Sequence, residues 1–337
     1  MDLNNLASNA QAMVADNKGL LAADESTRTI TKRFDTINVV STEDSRRDYR
    51  ELLFRTDGVG KYISGAILYD ETIRQSAADG TRLVNLMEKQ GILPGIKVDA
   101  GAKSLAGSEG ELITEGLDGL RERVDEYVEL GAKFAKWRAV IKIGEDIPSG
   151  YAIHTNAHAL ARYAKICQEG GLVPIVEPEV LMDGDHDIDT CQQVTEETLN
   201  SVFGELYAQE VALEGMILKP NMVISGLDAS NRSDINDVAD QTVATLLRCV
   251  PAAVPGIMFL SGGQSEVDAT AHLNAMNLGY KNLPWALSYS YGRALQASAL
   301  QAWVGKAENV KAAQEALLTR AILNSAACAA EYTGEAA

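Results

Sequence analysis

One lysine sits where lysines are uncommon. The apolar run Gly215-Met216-Ile217-Leu218 ends on Lys219, with Pro220 next, so an amine closes what reads as a buried strand. Lysine is among the residues least often fully buried, and burial favours its neutral, nucleophilic form, which can attack a carbonyl carbon. A single lysine in such a place commonly packs its stem and lets its head snorkel to water. Lys219 has company: Asp24, Lys97, Lys136 with Arg138, Glu177, Ser261 and Ser290 stand at or near the ends of similar short runs. Two amines and several carboxylates suit a division of labour in which one lysine forms a Schiff base and its neighbours move protons, a second ammonium activating the first. Rim salt bridges could account for any one pair but not for the repetition.

The runs that carry these residues recur at residues 19–24, 63–69, 95–99, 132–138, 172–177, 215–219, 256–261 and 285–290. Each is followed by a turn and then a longer segment, and residues 152–168, 196–213 and 235–250 space their apolar side chains in steps of three and four. Eight strands alternating with helices predict an α/β fold: a single (β/α)₈ TIM barrel with extra terminal helices. No proline- or serine-rich linker divides residues 1–337, so they read as one domain, with barrel core at 19–305, an alanine-rich helix at 307–330 and a short tail. In a barrel the carboxyl ends of all strands meet at one mouth. Alternation along a strand puts Lys136 and Arg138 on one face, and likewise Glu177 and Glu179 if the extended chain continues.

Ser261-Gly262-Gly263-Gln264-Ser265 follows the seventh run and Ser290-Tyr291-Gly292-Arg293 the eighth. Loops after strands seven and eight are the habitual phosphate site of this fold, because glycines admit oxygen to backbone N–H groups at a helix start. Ser261, Gly262, Ser290, Gly292 and Arg293 are therefore candidates for one phosphate, although Ser265 with Asp268 also fits a capping box. Ser26, Thr29, Arg33, Lys97 and Arg138 form a second basic and hydroxyl set, which suits a substrate with phosphate at both ends.

The remaining features narrow the class. With 47 acidic against 30 basic residues the net charge is −17, which argues against nucleic acid or an anionic membrane as partner and requires local basic clusters for any anion. The first residues show no signal peptide and no run is long enough to span a bilayer, so a cytoplasmic protein is expected. Cys167, Cys191, Cys249 and Cys328 form no CxxC and read as free, mostly buried thiols. No metal or other cofactor is expected. His154 and His158 lack an HExxH context, and the acidic run 183–189 has Ile188 and Val194 where a calcium loop needs glycine and glutamate, so it reads as a solvated loop.

The strings Leu21-Ala22-Ala23-Asp24-Glu25-Ser26-Thr27, Gly95-Ile96-Lys97-Val98-Asp99, Phe134-Ala135-Lys136-Trp137-Arg138, Pro174-Ile175-Val176-Glu177-Pro178-Glu179, Leu218-Lys219-Pro220-Asn221-Met222, Leu260-Ser261-Gly262-Gly263-Gln264-Ser265 and Ser290-Tyr291-Gly292-Arg293-Ala294-Leu295 together resemble the class I fructose-bisphosphate aldolases. The match runs in order from about Gly19 to Tyr332. The resemblance implies that Lys219 forms the Schiff base with the C2 ketone of fructose 1,6-bisphosphate or dihydroxyacetone phosphate. It implies Glu177 as acid and base for carbinolamine dehydration, Asp24 as the assistant of C3–C4 cleavage, Lys136 in proton transfer and Glu179 as a further catalytic carboxylate. Ser261, Gly262, Ser290, Gly292 and Arg293 match positions for the C1 phosphate, and Ser26, Thr29, Arg33, Lys97 and Arg138 the region of the C6 phosphate. It further implies a place in glycolysis and gluconeogenesis and a homotetramer. Two departures stand out. The family's tail often ends in a tyrosine that assists proton exchange at C3, whereas this sequence ends Glu335-Ala336-Ala337, so slower enamine protonation or a substitute donor is expected. Thr29 stands where vertebrate members are expected to have serine. An aldolase preferring sedoheptulose 1,7-bisphosphate or fructose 1-phosphate, and a non-catalytic sugar-phosphate-binding scaffold, are the alternatives left open.

Overall fold

A parallel strand covered on both faces needs apolar side chains on both, and all five residues of Gly19–Ala23 are buried. The computed structural model describes residues 2–335, so Met1 and the Ala336-Ala337 end of the expected tail lie outside the described residues. Its strands are β1 (Gly19–Ala23), β2 (Ile63–Leu68), β3 (Leu93–Lys97), β4 (Gly101–Ser104), β5 (Leu112–Glu115), β6 (Phe134–Ile141), β7 (Val173–Val180), β8 (Ile217–Leu218), β9 (Gly256–Phe259) and β10 (Ala286–Tyr291). All but β4 and β5 close into one parallel barrel in the order β1-β10-β9-β8-β7-β6-β3-β2. Each of the eight runs read from the sequence forms one of these strands, and the fold is the expected (β/α)₈ barrel. The antiparallel hairpin β4–β5, with Gly101 opposite Glu115, was not foreseen. Its strands have four residues each and are largely open to solvent, so they carry no apolar run to reveal them.

The barrel interior is filled by Leu20, Ile67, Phe134, Val173, Ile175, Ile217 and Met258, joined from one end by Leu6, Ala10 and Met13 of the helix Leu3–Met13. Phe134 takes the space that neighbouring strands leave: a β-carbon on Gly95 would lie 2.1 Å from its ring and one on Gly65 2.9 Å. Only glycine lets β2 and β3 pass an aromatic ring at that depth. Helices Gly150–Glu169 and Ile235–Cys249 fall within a residue or two of their expected bounds. Ile188–Ala208 starts earlier than 196–213, because Asp187 caps it by accepting from the Thr190 N–H at 2.8 Å, and ends earlier, where Glu210 turns to a φ of +53°. The acidic run is thus loop only as far as that cap. The expected helix at 307–330 is a 3₁₀ turn, Ala307–Asn309, followed by Val310–Cys328.

Two details at the mouth matter for the site. Lys219, at the end of the sixth barrel strand, follows a strand of only two residues, β8, and Pro220 has no N–H to extend it. The Asn221 side chain takes over: its Oδ1 accepts from Val180 N at 3.0 Å, and its Nδ2 donates to Thr195 Oγ1 and Met222 O, both at 3.1 Å. Just beyond the loop after β9, Arg320, 4% exposed, donates to Glu266 O and Thr270 Oγ1 at 2.7 Å each and pairs with Glu335 at 2.5 Å, tying the last helix to Glu266–Gly279.

Candidate active site

Lys219 leaves β8 with its N–H donating to Val176 O at 2.8 Å, which carries its side chain into the mouth beside β7. There Nζ lies 3.2 Å from Glu177 Oε1. The other oxygen of the same carboxylate lies 3.2 Å from Lys136 Nζ, and Lys136 reaches Asp24 Oδ2 at 2.7 Å. Strands β1, β6, β7 and the end of β8 thus contribute one charged group each to a chain in the order Asp24, Lys136, Glu177, Lys219. Lys136, Glu177 and Lys219 are each 3% exposed.

Ionisation follows from this alternation. Burial alone would raise the Asp24 carboxyl, but the Lys136 and Lys219 charges overcome it and hold Asp24 well below the usual carboxylate range. Glu177 is lowered for the same reason, with Arg138 adding to the two lysines against burial. Lys136 moves the other way: burial opposes its charge, and Asp24, Glu177 and Asp99 more than restore it. Both carboxyls are therefore anionic and Lys136 cationic near neutral pH.

Around this chain lies a cavity of about 670 Å³, lined by every residue singled out above for catalysis or phosphate binding, Glu179 and Thr29 included. On one side, Gly262 and Gly263 take φ of +56° and +90°, a left-handed turn that a side chain would strain. Ser290 is 1% exposed, and its Oγ has no hydrogen-bond partner among the described residues. Gly292 starts the helix Arg293–Trp303 without a side-chain cap, which leaves its first N–H groups free for an anion. Burial and the neighbouring Arg33 and Arg138 charges pull Arg293 below arginine's ordinary value, with Glu179 opposing.

On the other side, Ser26 caps the helix Thr27–Asp35 and its Oγ lies 3.1 Å from Thr29 Oγ1. Lys97 pairs with Asp99 at 2.7 Å, and Arg138 pairs with Glu179. The two expected phosphate sets are not fully separate, because Arg33 Nη2 comes within 3.6 Å of where a β-carbon on Gly292 would stand. The sequence reading passed over Asp99, which orients Lys97 and accepts from the Arg138 N–H at 3.3 Å, and Glu25, which pairs with Arg33. Both sit inside the strings quoted above, beside residues that were chosen. The His154 and His158 rings lie 6.4 Å apart and meet Glu205 and Gln209 at the neighbouring helix, away from the cavity.

A family model described as fructose-bisphosphate aldolase class-I matches residues 5–337. The chain belongs to the class I fructose-bisphosphate aldolase family. It is 58% identical over 336 residues to a probable class 1 aldolase of Xanthomonas campestris pv. campestris, covering 99% of this chain and 100% of that one. To the cytosolic fructose-bisphosphate aldolase 4 of Arabidopsis thaliana it is 55% identical over 331 residues, 98% of this chain and 84% of the relative. Among solved structures, the Plasmodium falciparum aldolase in complex with TRAP and a small-molecule inhibitor superposes with a TM-score of 0.98 at 51% identity, covering 99% and 96% of the two chains. A class I aldolase works by way of a lysine imine, and in this barrel two buried lysines share one carboxylate at the mouth.

Proposed function

We propose that this cavity carries out the reversible cleavage of fructose 1,6-bisphosphate to dihydroxyacetone phosphate and glyceraldehyde 3-phosphate through an imine on Lys219. The observation that carries the assignment is the shared carboxylate: Glu177 reaches Lys219 through one oxygen and Lys136 through the other, 3.2 Å each. Glu177 is the acceptor within reach when Lys219 gives up a proton and attacks C2, and the donor when the carbinolamine hydroxyl leaves as water. The resulting iminium draws the C3–C4 bonding pair into an enamine as the C4 hydroxyl proton passes to Asp24 and the aldehyde departs. Lys136, anchored by Asp24 and Glu177, balances the charge that these carboxylates gain and lose. Protonation at C3 and hydrolysis of the imine return the lysine. Ser261, Gly262, Ser290, Gly292 and Arg293 take one substrate phosphate, and Ser26, Thr29, Arg33, Lys97 and Arg138 take the other, with Arg33 within reach of both. Arg138 also fixes Glu179 beside Glu177.

The same reading places a homotetramer in the cytosol, in keeping with cytosolic relatives such as the Arabidopsis protein. Among the described residues no helix is long and apolar enough to cross a membrane.

The test is to incubate the protein with dihydroxyacetone phosphate and EDTA, reduce with borohydride, and locate the adduct by peptide mass spectrometry. The adduct is expected on Lys219 and absent from Lys219→Met, which also loses turnover. An adduct on another lysine, or none, would overturn the assignment.

A further inference from the structure

Glu25 is 6% exposed, pairs with Arg33 through Oε1, and accepts there also from Gln296 Nε2 at 3.0 Å. Gln296 is itself held, donating to Ala22 O at 2.7 Å and accepting from Tyr49 Oη at 3.1 Å. A carboxylate with one guanidinium is a neutral pair and has little pull on an anion. Yet Arg33 lines the cavity, 22% exposed at its side chain.

The missing charge lies behind. Arg50, on the helix Glu43–Phe54, is 3% exposed and outside the cavity lining, and its Nη2 stands 2.5 Å from Glu25 Oε2. Its Nε and Nη1, like Glu25 Oε2, have no hydrogen-bond partner among the described residues, so the contact between Arg50 and Glu25 is one of charge rather than an aligned hydrogen bond, and the Arg50 Cζ lies 5.8 Å from the centre of the Tyr49 ring. A buried guanidinium with two unpartnered nitrogens is a poor way to hold a helix, since an apolar side chain of the same bulk would pack there without desolvation cost. What Arg50 supplies is charge.

We infer that Arg50 is a positioning residue for substrate binding: as a second cation on Glu25 it leaves the Glu25, Arg33 and Arg50 group with a net positive charge, so that Arg33 can turn to a substrate phosphate without stranding a buried carboxylate. The inference rests on the reading that Arg33 meets a phosphate. Glu25 stays paired whichever way Arg33 points, and the cavity keeps one uncompensated positive charge for the incoming anion.

The experiment compares kcat and KM for fructose 1,6-bisphosphate in Arg50→Met, Arg50→Lys, Arg50→Met with Glu25→Gln, and Arg33→Ala, each checked by circular dichroism. Arg50→Met leaves Glu25 and Arg33 as a neutral pair, so KM is expected to rise about tenfold while kcat stays within about twofold. Arg50→Lys should recover most of the loss, and adding Glu25→Gln to Arg50→Met should recover it too, because the amide releases Arg33. A purely packing role predicts the reverse for the double variant, which changes more of the interior. An unchanged KM in Arg50→Met, or a double variant no better than the single, overturns the inference, provided that Arg33→Ala raises KM. If Arg33→Ala leaves KM unchanged, the phosphate reading of Arg33 has failed first. Should Arg50→Met lose its fold, the comparison of Arg50→Lys with the double variant decides, since both are expected near the native KM and a packing role would spare only the lysine.

Discussion

At the scale of residues, the site alternates charge from Asp24 to Lys219, and its pH behaviour follows. Asp24 has a folded value below its ordinary 3.8, since the charges of Lys136 and Lys219 outweigh burial. Its contribution to stability is therefore fully present above about pH 4 and is lost as pH falls toward the folded value. Lys136 has a folded value above 10.5, so its contribution is present below that and lost only in stronger alkali. Between those limits the pair contributes a constant amount. Replacing Asp24 by Asn should thus lower the urea midpoint by the same amount at about pH 5 and about pH 8, with the difference from the native protein shrinking at about pH 3. A difference that varied between the two higher values would mean that another group sets the charge of the site. Asp24 and Lys219 were legible because each ends an apolar run, whereas Lys136 and Glu177, read from the sequence as run ends, lie inside β6 and β7, which continue past them to Ile141 and Val180. Glu25, Asp99 and Arg50 were not legible, because a counter-charge is recognised only from what lies against it. Arg50 in particular reads as one more polar position in the charged segment Glu43-Asp44-Ser45-Arg46-Arg47-Asp48-Tyr49-Arg50, and only its burial by the barrel marks it out.

At the scale of elements, apolar continuity made the eight barrel strands readable, and its absence hid the half-exposed hairpin β4–β5. Strand length was the less legible quantity. Residues 215–219 look like an ordinary strand, yet Leu213–Gly215 is a 3₁₀ turn and only Ile217–Leu218 pairs regularly, because Pro220 removes the next donor. Asn221 closes the gap to Val180 and so fixes the angle at which Lys219 leaves the barrel wall. Asn221→Ala would leave the buried Val180 N–H and the Thr195 hydroxyl without this partner, at a cost of about 1–3 kcal/mol. It should also lower kcat more than it raises KM, because Lys219 would lose its register with Glu177 while the phosphate groups stay in place. Urea unfolding and steady-state kinetics on one preparation check both parts, and a stability loss with native kcat would show that Asn221 serves the wall alone.

At the scale of the whole molecule, both terminal helices are built into the barrel rather than attached to it. Leu3–Met13 contributes Leu6, Ala10 and Met13 to the interior cluster, so it cannot leave without opening the barrel floor. Val310–Cys328 buries Ala313, Leu317 and Ala321 against the outer layer and adds the Arg320 clasp to Glu266 and Thr270. Trp137 lies in the barrel wall, fully buried and stacked on Tyr163 with ring centres 5.5 Å apart, so with Trp285 and Trp303 replaced by Phe its fluorescence reports the core while far-ultraviolet circular dichroism reports all helices. If the chain is one cooperative domain, as we propose, the two signals should fall in a single coincident transition. If it also assembles as a homotetramer, the midpoint should rise with protein concentration, because dissociation then accompanies unfolding and mass action favours the folded, assembled state. A helical signal that decayed before Trp137 responded would mean that a terminal helix melts independently, against the burial of Leu6 and Leu317. Coincident signals with a midpoint indifferent to concentration would uphold the single domain and remove the tetramer from the folding equilibrium.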